Sequence, residues 1–181
     1  MDGTPTDKGL LIVHTGNGKG KSTAALGMLV RALGHGFSCA VVQFMKGRHA
    51  TSEVILSGVA EVGGGALTWD RCGEGFTWNS LGRERDILCA EKGWALARQH
   101  LSNPSLRFLL LDELNVALHQ GLLDTARIIS DLQDRPSALH VVVTGRGAPE
   151  ALMDAADLVT EMREIKHPLK AGIRAQPGIE F

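Results

Sequence analysis

Between Leu10 and Thr23 an apolar run, Leu-Leu-Ile-Val-His, breaks into Thr-Gly-Asn-Gly-Lys-Gly-Lys-Ser-Thr and then turns helical. Those residue types in that order make a phosphate cradle. Gly16, Gly18 and Gly20 lack a Cβ, so the loop can turn sharply and aim successive amide hydrogens inward at an anion. Ala24, Ala25, Leu26, Met28, Leu29, Ala32 and Leu33 recur at helical spacing. The loop therefore ends on a helix N-terminus, which carries roughly +0.5 of an elementary charge and free N–H groups. Lys21 is placed to reach phosphate oxygens and the Ser22 hydroxyl to ligate Mg²⁺. The nucleotide contacts expected of the loop run through Gly16, Asn17, Gly18, Lys19, Gly20, Lys21, Ser22 and Thr23.

One position departs from the usual spacing of glycine, any four residues, then Gly-Lys-Ser/Thr: the first glycine would fall at 15, where this chain has Thr15. A β-branched residue tolerates positive φ poorly, so the turn must begin at Gly16 and the cradle is one residue tighter. Lys19 adds a second cation. A bare glycine turn between strand and helix is the bland alternative, and the Lys-Ser pair argues against it.

Some 90 residues downstream, Arg107-Phe-Leu-Leu-Leu-Asp-Glu113 delivers two carboxylates at the end of an apolar run. A triphosphate with Mg²⁺ needs such an acid, because the ion keeps most of its water and takes only one or two protein oxygens. Asp112 or Glu113 would hold it directly or through water. Arg146, in Thr144-Gly-Arg-Gly147, could meet a phosphate or carboxylate, or form a structural ion pair. The chain has five Phe, three Trp and no Tyr, so Phe76 and Trp78 in a glycine-framed stretch stand out. They either fold back onto the core or form a flat apolar wall for a large planar ligand.

The elements that would position these groups alternate. Strands are expected at 10–14, 38–44, 66–69, 107–113, 139–143 and 158–165. Helices are expected at 21–33, 80–101, 122–132 and 149–156, with a helical turn at 53–59. Apolar strands alternating with helices make an α/β fold with a largely parallel sheet and helices on both faces, its ligands at the C-terminal strand ends. Trp94, within Ile87, Trp94 and Leu101 at heptad spacing, belongs to the core. Arg83 to Asp86, alternating in sign, make a solvated face.

With 181 residues, no internal repeat and no composition break, residues 1–181 read as one domain, residues 1–8 loose. A net charge of −1 supplies no basic field to attract nucleic acid or an anionic membrane. No apolar run is long enough to span a bilayer, and the N-terminus has no apolar leader, so a cytoplasmic protein is expected. Cys39, Cys72 and Cys89 suit a reducing compartment. None of the seven histidines has zinc-ligand spacing.

The unusual stretches TGNGKGKST at 15–23, VVQFMKG at 41–47, GFTW at 75–78, LDELN at 111–115, VVVTGRG at 141–147 and KHPLKAGIRAQPGIEF at 166–181 resemble the ATP-dependent corrinoid adenosyltransferases of the P-loop type. The resemblance implies a RecA-like P-loop NTPase fold, usually as a homodimer, with the nucleotide reversed in its cradle. It implies transfer of the 5′-deoxyadenosyl group of ATP to Co(I) of a reduced corrinoid, with release of triphosphate. Mg²⁺ (or Mn²⁺) would sit on Ser22 and Glu113, and Arg31 would lie near the nucleotide. Phe76 and Trp78 would exclude the lower cobalt ligand, and a reduced flavin or flavodoxin-like partner would supply electrons. Some members have a longer N-terminal segment over the corrinoid, whereas nine residues precede the first strand here. The rival class is a nucleotide-switch ATPase making ADP and phosphate, and a third reading is a small-molecule kinase.

Overall fold

The computed structural model describes residues 8–44, 56–72 and 80–179. Within them the strands are β1 (Leu11–Thr15), β2 (Ser38–Gln43), β3 (Ala66–Arg71), β4 (Phe108–Asp112), β5 (His140–Thr144) and β6 (Leu158–Glu161). All pairs are parallel, in the order β3-β2-β4-β5-β1-β6. The helices are α1 (Lys21–Gly34), α2 (Leu56–Gly63), α3 (Ser80–Leu101), α4 (Leu114–His119), α5 (Thr125–Gln133) and α6 (Glu150–Ala155), and a 3₁₀ turn spans Pro168–Ala171.

Why the four central strands read as unbroken apolar runs is clear from their two cores. Ile12, Val41, Leu110 and Val142 face Ala25, Leu29 and Leu33 of α1. The alternate residues, among them Val13, Val42, Leu111 and Val143, face Trp94 of α3, Leu118 of α4, Ile128 of α5 and Leu152 of α6. Trp94 is 2% exposed, and its indole N–H donates to Asp131 at 2.9 Å. Cys39 and Cys72 are buried free thiols. Burial pushes Cys39 up to about 12 and is the main reason Cys72 rises to about 11.

The strand order has one consequence for chemistry. β5 lies between β1 and β4, so the loop after β1 and the acids after β4 flank the end of β5, all at the C-terminal edge.

Several elements differ from the sequence expectation: α5 starts at Thr125 rather than 122, where Asp124 caps it, β3 runs on to Arg71 rather than 69, and three further differences have clear causes. α4 is absent from that expectation, because six residues starting directly after the acidic pair show too little periodicity and carry no side-chain cap. β6 stops at Glu161 rather than 165, since its partner β1 ends at Thr15 and the chain then lies against the loop that follows. α2 extends to Gly63, where a Cβ would press on the Leu33 carbonyl of α1, so only glycine lets the two helices approach.

At the opposite, N-terminal edge of the sheet, Asp157 accepts from the backbone N–H of Leu11 (2.8 Å) and from Lys8 (2.6 Å) and Arg135 (3.4 Å). The Lys8 hydrogen bond, then that of Leu11, holds its carboxyl below the ordinary 3.8. A depressed acid contributes stability that is full above its unfolded value and is lost as pH falls through the folded one. Asp157→Asn should therefore cost about 1 kcal/mol near neutrality, after discounting for solvent screening. Melting temperatures at pH 7 and pH 3 check this: the gap between variant and parent should narrow in acid.

Candidate functional site: a phosphate loop facing a buried carboxylate

β1 delivers the chain to Gly16, at φ 92°, and Gly20, at φ 119°, ends the loop as the N-cap of α1. Thr15 stays in the strand, and its hydroxyl accepts from the N–H of Ala148 at 3.1 Å. The turn thus starts at Gly16, as the β-branched residue requires. The chain after β6 backs the loop: the Met162 N–H donates to the Thr15 carbonyl (2.8 Å), and the Gly18 N–H donates to the Met162 carbonyl (2.6 Å). A Cβ on Gly18 would lie 2.7 Å from the backbone of Arg163. Gly18 is therefore needed for the close approach of the chain after β6, and its N–H is spent on that chain rather than aimed inward with the other loop amides.

Lys21 is buried, and its ammonium donates to the carbonyls of Gly16 (2.7 Å) and Gly18 (2.6 Å). Desolvation lowers its pKa first, the charge of Arg146 lowers it further, and the Glu113 carboxylate partly opposes both. Two cations crowded together in this way gain from an arriving polyanion. Arg146 also lines a cleft of about 750 Å³ with Gly16, Asn17, Val116, His119 and Glu161. That volume is within the range of small-molecule sites.

Across the sheet end, the buried Asp112 accepts from Ser22 (2.7 Å), Thr144 (2.7 Å) and Gln43 (3.0 Å). Thr144 in turn accepts from the Glu113 N–H at 3.1 Å. Ser22, the residue expected to hold a cation, thus meets Asp112 of the acidic pair. Glu113 is the one non-glycine residue with positive φ (64°) among the described residues, a strain of about 1–2 kcal/mol. Beside it, Asn115 ties the His14 carbonyl (3.2 Å) to that of Gly145 (3.1 Å), while its own Oδ1 is buried without a hydrogen-bond partner. Strain and unmet polarity of this kind concentrate at working sites. Oxygen donors on Ser22 and Asp112 fit an ion such as Mg²⁺ that takes only one or two protein oxygens.

Of the residues expected to act, Gly16, Asn17, Gly18, Gly20, Lys21, Ser22, Glu113 and Arg146 are brought together. Lys19 and Thr23 are exposed on the loop and first helical turn. Arg31 is exposed in the last turn of α1, roughly 15 Å along the helix from Lys21, and is not brought to the cradle. Phe76 and Trp78 lie outside the described residues. Gln43, Thr144 and Asn115 were not foreseen. The signal for the first two was present: each is the polar residue that ends a strand's apolar run, CAVV before Gln43 and VVV before Thr144.

A glycine loop leading from β1 into α1, opposed by a carboxylate ending β4 on a six-stranded parallel sheet, defines a P-loop protein of the RecA-like α/β class. The fold resembles that of the flagellar accessory protein FlaH from Methanocaldococcus jannaschii, with a TM-score of 0.54 at 11% identity, over 88% of this chain and 72% of that one. The chain belongs to the ATP:corrinoid adenosyltransferase (BtuR/CobO/CobP) family, whose model matches residues 7–181. A corrinoid adenosyltransferase from Pseudomonas aeruginosa is 49% identical over 97% of this chain and 85% of its own length. One from Escherichia coli K12 is 39% identical over 97% and 87%.

Two glycine substitutions should part company. Gly18→Ala overpacks the loop against Arg163, a loss of about 1–3 kcal/mol. ATP affinity by calorimetric titration should fall about tenfold to a hundredfold. Gly27→Ala, on an open stretch of α1 with no heavy atom within 4 Å of the new Cβ, should leave that affinity alone and add about 1 kcal/mol to stability.

Proposed function

We propose that this chain transfers the 5′-deoxyadenosyl group of ATP to the Co(I) centre of a reduced corrinoid and releases inorganic triphosphate. The observation that carries this reading is the cationic cradle opposite a buried carboxylate, in a chain that matches the adenosyltransferase family across residues 7–181. The same match favours transfer over a switch ATPase or a kinase.

Co(I) is an electron-rich nucleophile and needs no general base. Its electron pair forms the bond to C5′, the C5′–O bond breaks, and triphosphate leaves with that bonding pair while cobalt becomes formally Co(III). What remains for the protein is in-line placement and stabilisation of a highly charged leaving group. Lys21, Arg146 and the amides at the start of α1 supply the second. Mg²⁺ (or Mn²⁺), held by Ser22 with Asp112 or Glu113, would add charge neutralisation. The nucleotide lies reversed, its polyphosphate in the amide nest and C5′ free. As the family resemblance implies, Phe76 and Trp78 would close off the lower face of the corrin and keep a ligand off cobalt, which eases its reduction. The enzyme acts as a cytoplasmic homodimer fed by a reduced flavin or flavodoxin-like donor. Among the described residues no helix is long and apolar enough to cross a membrane.

Incubation of ATP with a reduced corrinoid should yield triphosphate and a light-sensitive cobalt–carbon product. Corrinoid-independent ADP and phosphate would instead indicate hydrolysis. Lys21→Ala should abolish triphosphate binding, and turnover with it, whatever the acceptor. Phe76→Ala or Trp78→Ala should impair conversion starting from Co(II) far more than ATP affinity. Equal losses in both would make the rings structural.

A further inference from the structure

One row of side chains crosses the C-terminal edge of the sheet on the α1 face. Register pairs Gln43 of β2 with Arg71 of β3 on one side and with Asp112 of β4 on the other. Each caps an alternating set that is apolar below it: Val41 lies under Gln43 and Leu110 under Asp112, both in the core against α1. Gln43 is 1% exposed, and its side-chain amide spans the row. Its Oε1 accepts from the Trp69 indole N–H (3.0 Å) and from Arg71 Nε (3.2 Å), while its Nε2 donates to Asp112 Oδ2 (3.0 Å).

Chemistry fixes which way that amide points. Indole and guanidinium nitrogens can only donate, and an ionised carboxylate can only accept. A flipped amide would set N–H against N–H on one side and oxygen against oxygen on the other. Trp69 and Arg71 therefore choose the amide's orientation, and the amide in turn aims Asp112 Oδ2, leaving Oδ1 to Ser22 and Thr144.

We infer that Gln43 is a positioning residue for the cation that accompanies the nucleotide: it holds the Asp112 carboxylate in the orientation that Ser22 shares, with Trp69 and Arg71 locking it from β3. This rests on the reading of Ser22 and Asp112 as the cation-facing pair of the ATP site. Outer partners of metal-facing carboxylates typically tune metal affinity about 10–100-fold.

The test measures ATP binding to the full chain by calorimetric titration across a Mg²⁺ series and in EDTA. In Gln43→Leu the Mg²⁺ concentration at the midpoint should rise about tenfold, while metal-free ATP affinity stays at the parent value. Trp69→Phe keeps the ring and removes the donor, so it should shift the midpoint the same way by a smaller factor, about threefold. If Gln43→Leu does not fold, Trp69→Phe decides. An unchanged midpoint in whichever variant folds, or metal-free affinity falling in step with it, overturns the assignment. A parent chain whose ATP binding ignores Mg²⁺ would fail differently: it removes the cation from Ser22 and Asp112, and the role of Gln43 with it.

Discussion

Asp112 accepts hydrogen bonds from three elements at once: Ser22 on α1, Thr144 on β5 and Gln43 on β2. A buried carboxylate is tolerable only when its charge is met in this way. Because those partners come from the first turn of α1 and from the strands on either side of β4, the carboxylate sets the distance between the phosphate loop and the sheet end. Moving any one of the three would leave a buried charge short of a partner, so their mutual placement is tightly determined.

The same edge of the sheet carries the molecule's local costs. Glu113 is held at positive φ, Asn115 keeps an unmatched buried oxygen, and Lys21 shares its surroundings with Arg146. These are unfavourable in the free chain, and each lies within reach of the cradle. Excess positive charge here is relieved by a polyphosphate, which makes a tightly gripped leaving group a natural occupant. The opposite edge is built for stability. There Asp157 joins Lys8, Arg135 and the start of β1, and the His140 ring accepts from the Leu10 N–H at 3.1 Å. Burial first, then the charges of Arg107 and Arg135, keeps that imidazole below its ordinary value and so in the neutral form that can accept.

Membership of the adenosyltransferase family joins these features to a reaction that asks little of acid–base chemistry. The arrangement is in keeping with that: the groups gathered at the loop are cations, oxygen ligands and backbone amides. Thr15 also finds its explanation. It stands in the strand opposite Glu161, and its hydroxyl, which a glycine would lack, ties the loop after β5 through Ala148.

From sequence alone, the α/β alternation, the phosphate loop, the acid-tipped strand and the family resemblance could all be read, because each is a local pattern of residue types at short spacing. Periodicity could not say which face of a strand meets which helix, since both faces of β2, β4 and β5 are apolar. For that reason the shared destination of Gln43, Asp112 and Thr144 was hidden: it depends on register between strands far apart in the chain. The choice between Asp112 and Glu113 beside Ser22 was equally out of reach, because adjacent residues leave a strand end in directions set by φ, and only the fold placed Glu113 in the left-handed region. Local chemistry named the parts, and long-range pairing decided which of them touch.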